Sequence, residues 1–242
     1  MSKPSEVQGP RSAAPSGERL VVAIDGPSGS GKSSTARGVA ERLGLAFLDT
    51  GAMYRAATWL AVREGLDLDD ADAVAALVRA ADFEIVLDPA QPTIAVNGHD
   101  VTQEIRRPEV SAAVSAVATN LAVRADLVAR QQRLIADAPA GVVAEGRDIT
   151  TVVAPDAEVR VLLVADPAAR VARRQAELGE AVDTAAVTDQ VIRRDADDST
   201  VAQFHSAAPG VVVVDSTYLD LSEVIEKICD LTPERAGAER RS

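Results

Sequence analysis

The stretch GPSGSGKSS, residues 26 to 34, follows directly on the apolar run LVVAID and opens a segment of helical periodicity. Nothing else in the chain constrains its fold so tightly. Gly26-Pro27-Ser28-Gly29-Ser30-Gly31-Lys32-Ser33 satisfies G-x-x-x-x-G-K-[ST] at every specified place, and Ser34 continues it. Such a loop needs a buried strand behind it and a helix N-terminus ahead of it. Its glycines turn successive backbone N–H groups inward, and the helix adds a partial positive charge. Lys32 then reaches the β and γ phosphates of a nucleoside triphosphate such as ATP, while the Ser33 hydroxyl can ligate Mg²⁺. The alternative is a Gly/Ser-rich loop that binds nothing. The chain has three lysines against twenty-two arginines, so a lysine at that one place speaks against accident.

The rest of the chain supplies what the loop requires. LVVAID, 20 to 25, is too short and too continuously apolar for a surface helix, and reads as a buried parallel strand. Ala36, Val39, Ala40 and Leu43 then form the stripe of a packed helix that Gly44 ends. FLDT is a second strand and GAMYRAATWLAVREG a second helix. GVVAEG (141 to 146), VRVLLVAD (159 to 166) and GVVVVDS (210 to 216) are three more strands. The final helix has Asp220 as N-cap with Glu223 three residues on. These elements predict an α/β fold, a five-stranded parallel sheet flanked by helices. FEIVLDPAQPTIAVNGHDV, 83 to 101, breaks the rhythm with two β-rich runs around turn signals, and predicts a hairpin. SAAVSAVATNLAVRADLVARQQRLIA after it reads as helix. The predicted organisation is a tail over 1–18, a domain over 19–232 and a polar tail over 233–242. Within the domain, an insertion of about 66–106 divides a core of 19–65 and 107–232.

A net charge of −12 argues against nucleic acid as a partner, because a phosphate-backbone binder shows a basic face. A single cysteine, Cys229, excludes an internal disulfide framework and fits a reducing cytoplasm. No apolar run is long enough to cross a bilayer, and the N-terminal segment has no signal-peptide core. A cytoplasmic monomer is expected.

Three clusters fall where strand ends face the loop. They are Asp49-Thr50-Gly51-Ala52-Met53-Tyr54-Arg55, then Glu145-Gly146-Arg147-Asp148, then Arg170, Arg173, Arg174, Arg193 and Arg194 with Asp195 and Asp198. Taken singly, each has an ordinary explanation as a core aromatic, a turn pair or a solvated helix face. Together with the loop they suit phosphoryl transfer between two anions, which needs fixed cations to offset repulsion. Arginine's planar fork can bind two phosphate oxygens at once.

DGPSGSGKSS, LDTGAMYRA, GHDVTQEIR and VVAEGRDITTVV, with their spacing, resemble the bacterial cytidylate kinases of the nucleoside monophosphate kinase family, over residues of about 20 to 230. The resemblance implies a P-loop kinase with ATP and Mg²⁺, CMP or dCMP as acceptor, a monophosphate-binding insertion carrying the hairpin, and a helical lid of about 168–206. It implies that Arg55, Arg106 and Arg147 hold the acceptor phosphate, with Thr50 nearby and Tyr54 beside the base. Ser115, Arg124 and Asp148 would read cytosine, Arg194 and Asp198 would bind the sugar, and Arg173 and Arg174 would lie on the lid. Lys32, Arg147, Arg173, Arg174 and Arg194 become the catalytic cations.

Two departures stand out. Thr150 replaces the usual glycine of G-R-D-[IM]-G-T. The pattern R-D-x-x-D-S-x-R-x-x-S-P-L has Val201 in place of its second arginine and Phe204-His205-Ser206 in place of S-P-L. A kinase for another small acceptor, such as UMP or shikimate, and a weakened paralogue are the alternatives among enzymes. A nucleotide switch is the alternative outside them, but the guanine-reading N-K-x-D segment does not occur.

Overall fold

A computed structural model describes residues 19–178, 188, 195–197, 199–202, 204 and 206–233. Residues 1–18 and 234–242, which hold nearly all of the two predicted tails, lie outside the described residues. The main sheet has five parallel strands in the order β2-β6-β1-β7-β8: β1 (Leu20–Asp25), β2 (Ala46–Asp49), β6 (Gly141–Gly146), β7 (Val159–Val164) and β8 (Val212–Asp215). β1 is central and buried at all six positions, which is why its sequence is continuously apolar.

Alternate residues of β1 feed two cores. Leu20, Val22 and Ile24 pack with α1 (Lys32–Leu43) and with α7 (Leu221–Asp230), through Val39, Val224 and Ile228. Val21 and Ala23 join the opposite cluster, with Met53 and Leu60 of α2 (Thr50–Arg63). α1 ends at Gly44, in the left-handed conformation with φ 64°, as its sequence predicts. The Asp220–Glu223 capping box opens α7.

After α3 (Ala71–Ala80) the predicted hairpin is a three-stranded antiparallel sheet: β3 (Phe83–Val86), β4 (Thr93–Val96) and β5 (His99–Asp100). Asn97 and Gly98 take positive φ of 51° and 75°, the pair that a tight hairpin turn needs, and this returns the chain for one more short strand. On the other side of this small sheet, the backbone N–H of Phe47 in edge strand β2 donates to the Leu87 carbonyl at 2.8 Å.

The long helix expected after the insertion is two helices, α4 (Pro108–Ala118) and α5 (Leu121–Asp137), bent by 100°. Asn120 causes the break. Its side-chain oxygen accepts from the N–H groups of Ala122 and Val123, an N-cap that competes with continued helix. Val114, Val117, Val123 and Leu127 of this pair lie in the core. No single helix among the described residues is long and apolar enough to cross a membrane. A last described helix, α6 (Pro167–Leu178), follows β7.

Beyond β6 the chain makes one wide helical turn, Ile149–Val153, fastened to β1. Asp25 accepts from the N–H groups of Ile149 (2.7 Å) and Thr150 (2.9 Å) and from the Thr150 hydroxyl (2.6 Å). The departure from glycine thus supplies a third donor to a buried carboxylate. Burial pushes the Asp25 carboxyl above its ordinary value, and these hydrogen bonds offset part of that. Thr150→Val keeps the shape but removes the donor, and should lower unfolding free energy by about 1–3 kcal/mol. Urea denaturation measures it, and Thr150→Ser should retain most of the stability.

Candidate active site

A cavity of about 490 Å³ opens at the carboxyl edge of the main sheet. Ser28, Gly29, Gly31, Lys32, Ser33 and Ser34 form one end of it. Gly29 and Gly31 hold φ of 74° and 86°, a turn that side chains with a Cβ rarely adopt. Lys32 Nζ donates to the Pro27 carbonyl at 3.2 Å. Gly26, Pro27 and Ser30 stand behind this surface: the Ser30 side chain is buried, and Gly26 packs against the Leu163 carbonyl. The predicted loop is therefore a cradle with six residues facing the cavity.

Two carboxylates sit at the cradle's side, Glu145 at the end of β6 and Asp49 at the end of β2, in register with each other. Glu145 is 3% exposed and accepts from the Ser33 hydroxyl at 2.5 Å. Burial, and then the charge of Asp49, push its carboxyl up. Asp49 behaves oppositely. Burial alone would raise it, but the charges of Arg55 and Arg106 outweigh that and hold it below the usual range. Thr50 anchors the corner by donating to the Glu145 backbone carbonyl at 2.8 Å.

The far end of the cavity gathers Tyr54, Arg55, Arg106, Arg124, Arg147 and Asp148. Arg55 donates to Asp49 at 3.1 Å, and Arg106 lies 3.7 Å from the same oxygen. Arg124 and Asp148 form a short, largely buried ion pair, and the Arg124 guanidinium lies 5.9 Å from the centre of the Tyr54 ring. Ser115 is half-buried and is not among the lining residues. Val114 and Ala118, four apart on α4, occupy that wall instead.

Asp195 joins the two ends. It is 5% exposed and accepts from the Ser28 N–H (2.9 Å), from Arg147 (2.7 Å) and, over a short ion pair, from Arg170. Burial works against its charge, but Arg147 and these hydrogen bonds prevail and hold the carboxyl below the ordinary range. Of the expected lid arginines, Arg174 lines the cavity. Arg173 instead braces the cradle from outside, donating to the Ser30 carbonyl (3.2 Å) and to the Ser216 hydroxyl (2.9 Å) and carbonyl (2.6 Å). Arg193, Arg194, Asp198 and His205 lie outside the described residues. Val201 is half-buried, and its neighbour Ala202 is the one that lines the cavity.

Sequence reasoning gave no role to Glu145, Asp49, Asp195 or Arg170, though it quoted all four. For the first two a signal was available: a carboxylate at the end of a buried parallel strand has to be matched there by hydrogen-bond donors or by a cation. For Asp195 and Arg170 no local pattern marks the contact.

Fold and cavity together define the class, a P-loop protein whose phosphate loop opens into a cavity at one edge of a parallel sheet. Comparison with known sequences narrows it. The family model described as "Cytidylate kinase" matches residues 22–234. A cytidylate kinase of Cutibacterium acnes is 57% identical over 88% of this chain and 96% of its own length. Those of Streptomyces coelicolor (48% identical, 93% and 98% covered) and Rhodococcus opacus (47%, 90% and 96%) agree. The chain belongs to the cytidylate kinase family.

The lowered Asp195 value has a measurable consequence. Its stabilisation is complete above the unfolded value near 3.8 and is lost as pH falls through the lower folded value. Asp195→Asn should therefore be less stable than the parent at about pH 7, with the difference shrinking as pH falls below 3.8. Urea denaturation across that range reads it.

Proposed function

We propose that this chain transfers the γ-phosphoryl group of ATP to CMP or dCMP, giving CDP or dCDP and ADP. The observation that carries this reading is the single cavity that joins the Lys32 cradle to the Arg124–Asp148 pair beside Tyr54. Cytosine presents an exocyclic amine that donates, and a ring nitrogen and carbonyl that accept. The Asp148 carboxylate suits the amine, and the Arg124 guanidinium suits the acceptors. Tyr54 offers a face for the base. Arg55, Arg106 and Arg147 then hold the monophosphate opposite the cradle.

The acceptor oxygen belongs to a phosphate that is already ionised, so no general base is needed. Catalysis is positioning plus charge stabilisation. Lys32 and the cradle N–H groups hold the donor phosphates, while Arg147 and Arg174, which line the same cavity, are assigned to offset charge in the transfer. Arg170 and Arg173 fix the cradle's walls rather than entering it. Arg194 and Asp198 are assigned to the sugar, and α6 to a lid that excludes water as a rival acceptor.

Mg²⁺ fits the cradle's acidic side. Ser33 already shares a hydrogen bond with a buried carboxylate, Glu145, which burial and the neighbouring charge of Asp49 push up. Ser33 would ligate the ion, with Glu145 and Asp49 beside it, as suits a cation that keeps water and phosphate ligands. When bound with ATP, it neutralises charge on the phosphates. The reading takes the enzyme as a monomer of a reducing cytoplasm, which its single cysteine, Cys229, suits.

The test is ADP release across CMP, dCMP, UMP, AMP and shikimate. CMP and dCMP should lead, with UMP about ten- to a hundredfold lower in kcat/KM, because a carbonyl facing Asp148 costs about 1–3 kcal/mol. Equal values for UMP and CMP would remove Asp148 from this role. Lys32→Ala should lose at least about a hundredfold in kcat while its thermal unfolding stays unchanged. Retention of more than about a tenth of kcat would contradict the cradle assignment.

A further inference from the structure

Arg147 is held from two directions. Asp195 accepts from one edge of its guanidinium at 2.7 Å, and the guanidinium carbon lies over the ring of Phe204, 4.3 Å from the ring centre. Phe204 is 0% exposed and is packed with Leu162 and Ala202, against Val164 and Val211. Arg147 lines the cavity, whereas Phe204 does not. Three other arginines among the described residues also lie over aromatic rings, at 5.0–5.9 Å, and the contact of Arg147 with Phe204 is the shortest of the four. We infer that Phe204 is a positioning residue for the acceptor phosphate, acting through the pose of Arg147.

The proposal rests on the reading that Arg147 binds that phosphate. An arginine on a flexible stem loses rotamer freedom each time it engages an anion. Here the carboxylate fixes one edge of the fork, and the ring's negative face holds the guanidinium over it. Both constraints exist before substrate arrives, so ordering is not repeated at every turnover. A leucine in the same space would fill the core but would offer the guanidinium no negative face.

Two kinds of replacement separate this from simple packing. Phe204→Leu should raise the Kd and KM for CMP about three- to thirtyfold, with the KM for ATP unchanged. Site-specific phenylalanines bearing one to three ring fluorines keep the size while draining the ring's negative face. They should weaken CMP binding stepwise at a constant melting temperature. In an Arg147→Gln background the same replacements should shift CMP affinity by less than about twofold, because the partner is gone. Titration calorimetry with CMP reads the affinities, steady-state kinetics the two KM values, and thermal unfolding the melting temperature. A flat fluorine series, or an equal penalty in both backgrounds, overturns the proposal and leaves Phe204 as core filling. If the unmodified enzyme turns over another acceptor in place of CMP, the proposed function fails. The Phe204 series is then read on that acceptor, with the same two outcomes deciding it.

Discussion

The structure depends on a pairing of arginine with buried carboxylate. A chain of net charge −12 that handles two phosphate-bearing molecules must gather its cations in one place, and gathered cations repel. Three carboxylates resolve this. Asp49 takes Arg55 and Arg106, Asp148 takes Arg124, and Asp195 takes Arg147 and Arg170. Each pair is more than an ion pair in solvent, because every one of these carboxylates is at least nine-tenths buried at its side chain. Removing one of the three carboxylates would deprive the largely buried guanidinium groups of Arg55, Arg124, Arg147 or Arg170 of that counter-charge, and this penalty keeps those four in place.

The sheet determines where the carboxylates stand. Parallel register puts Ile24 of β1 and Asp49 of β2 level with Glu145 of β6, so one edge presents Asp25, Asp49 and Glu145 together. The three have different surroundings and therefore different chemistry. Asp25 is consumed by backbone donors and fastens the turn after β6. Asp49 faces arginines and stays charged, while Glu145 faces Ser33 and the cradle. Sites assembled from rigid strand ends need little reorganisation when substrates bind, which is the condition under which fixed charge is most effective.

Much of this was legible in the sequence. The cradle, the five strands and the α7 cap follow from local pattern, because each depends on residues adjacent in the chain. What local pattern could not supply is competition between neighbours and contact across distance. Asn120 sits inside a helical periodicity, and only its side-chain hydrogen bonds reveal a new helix start. The third strand of the small sheet is two residues long, too short for any period to declare itself. Asp195 meets the cradle across 167 positions of sequence, and Phe204 meets Arg147 across 57 positions, so neither relation leaves a periodic trace. Arg173 showed the opposite problem. Its arginine-rich surroundings pointed to phosphate, but its fork is taken up by Ser30 and Ser216.

The hydrogen bond from Phe47 to Leu87 bears on solubility as well as on architecture. β2 is an outer strand of the main sheet, and an outer strand's unpaired N–H and C=O groups can template pairing with another molecule. The chain just after β3 occupies that rim, so the segment between the core's two halves also shields the sheet from sticking to its own copies. At the opposite rim, β8 leaves Val212 and Val213 half-open to solvent. The two margins of the sheet are therefore unequal in their resistance to self-association. A core trimmed of its insertion would keep the phosphate cradle but would gain a second adhesive border.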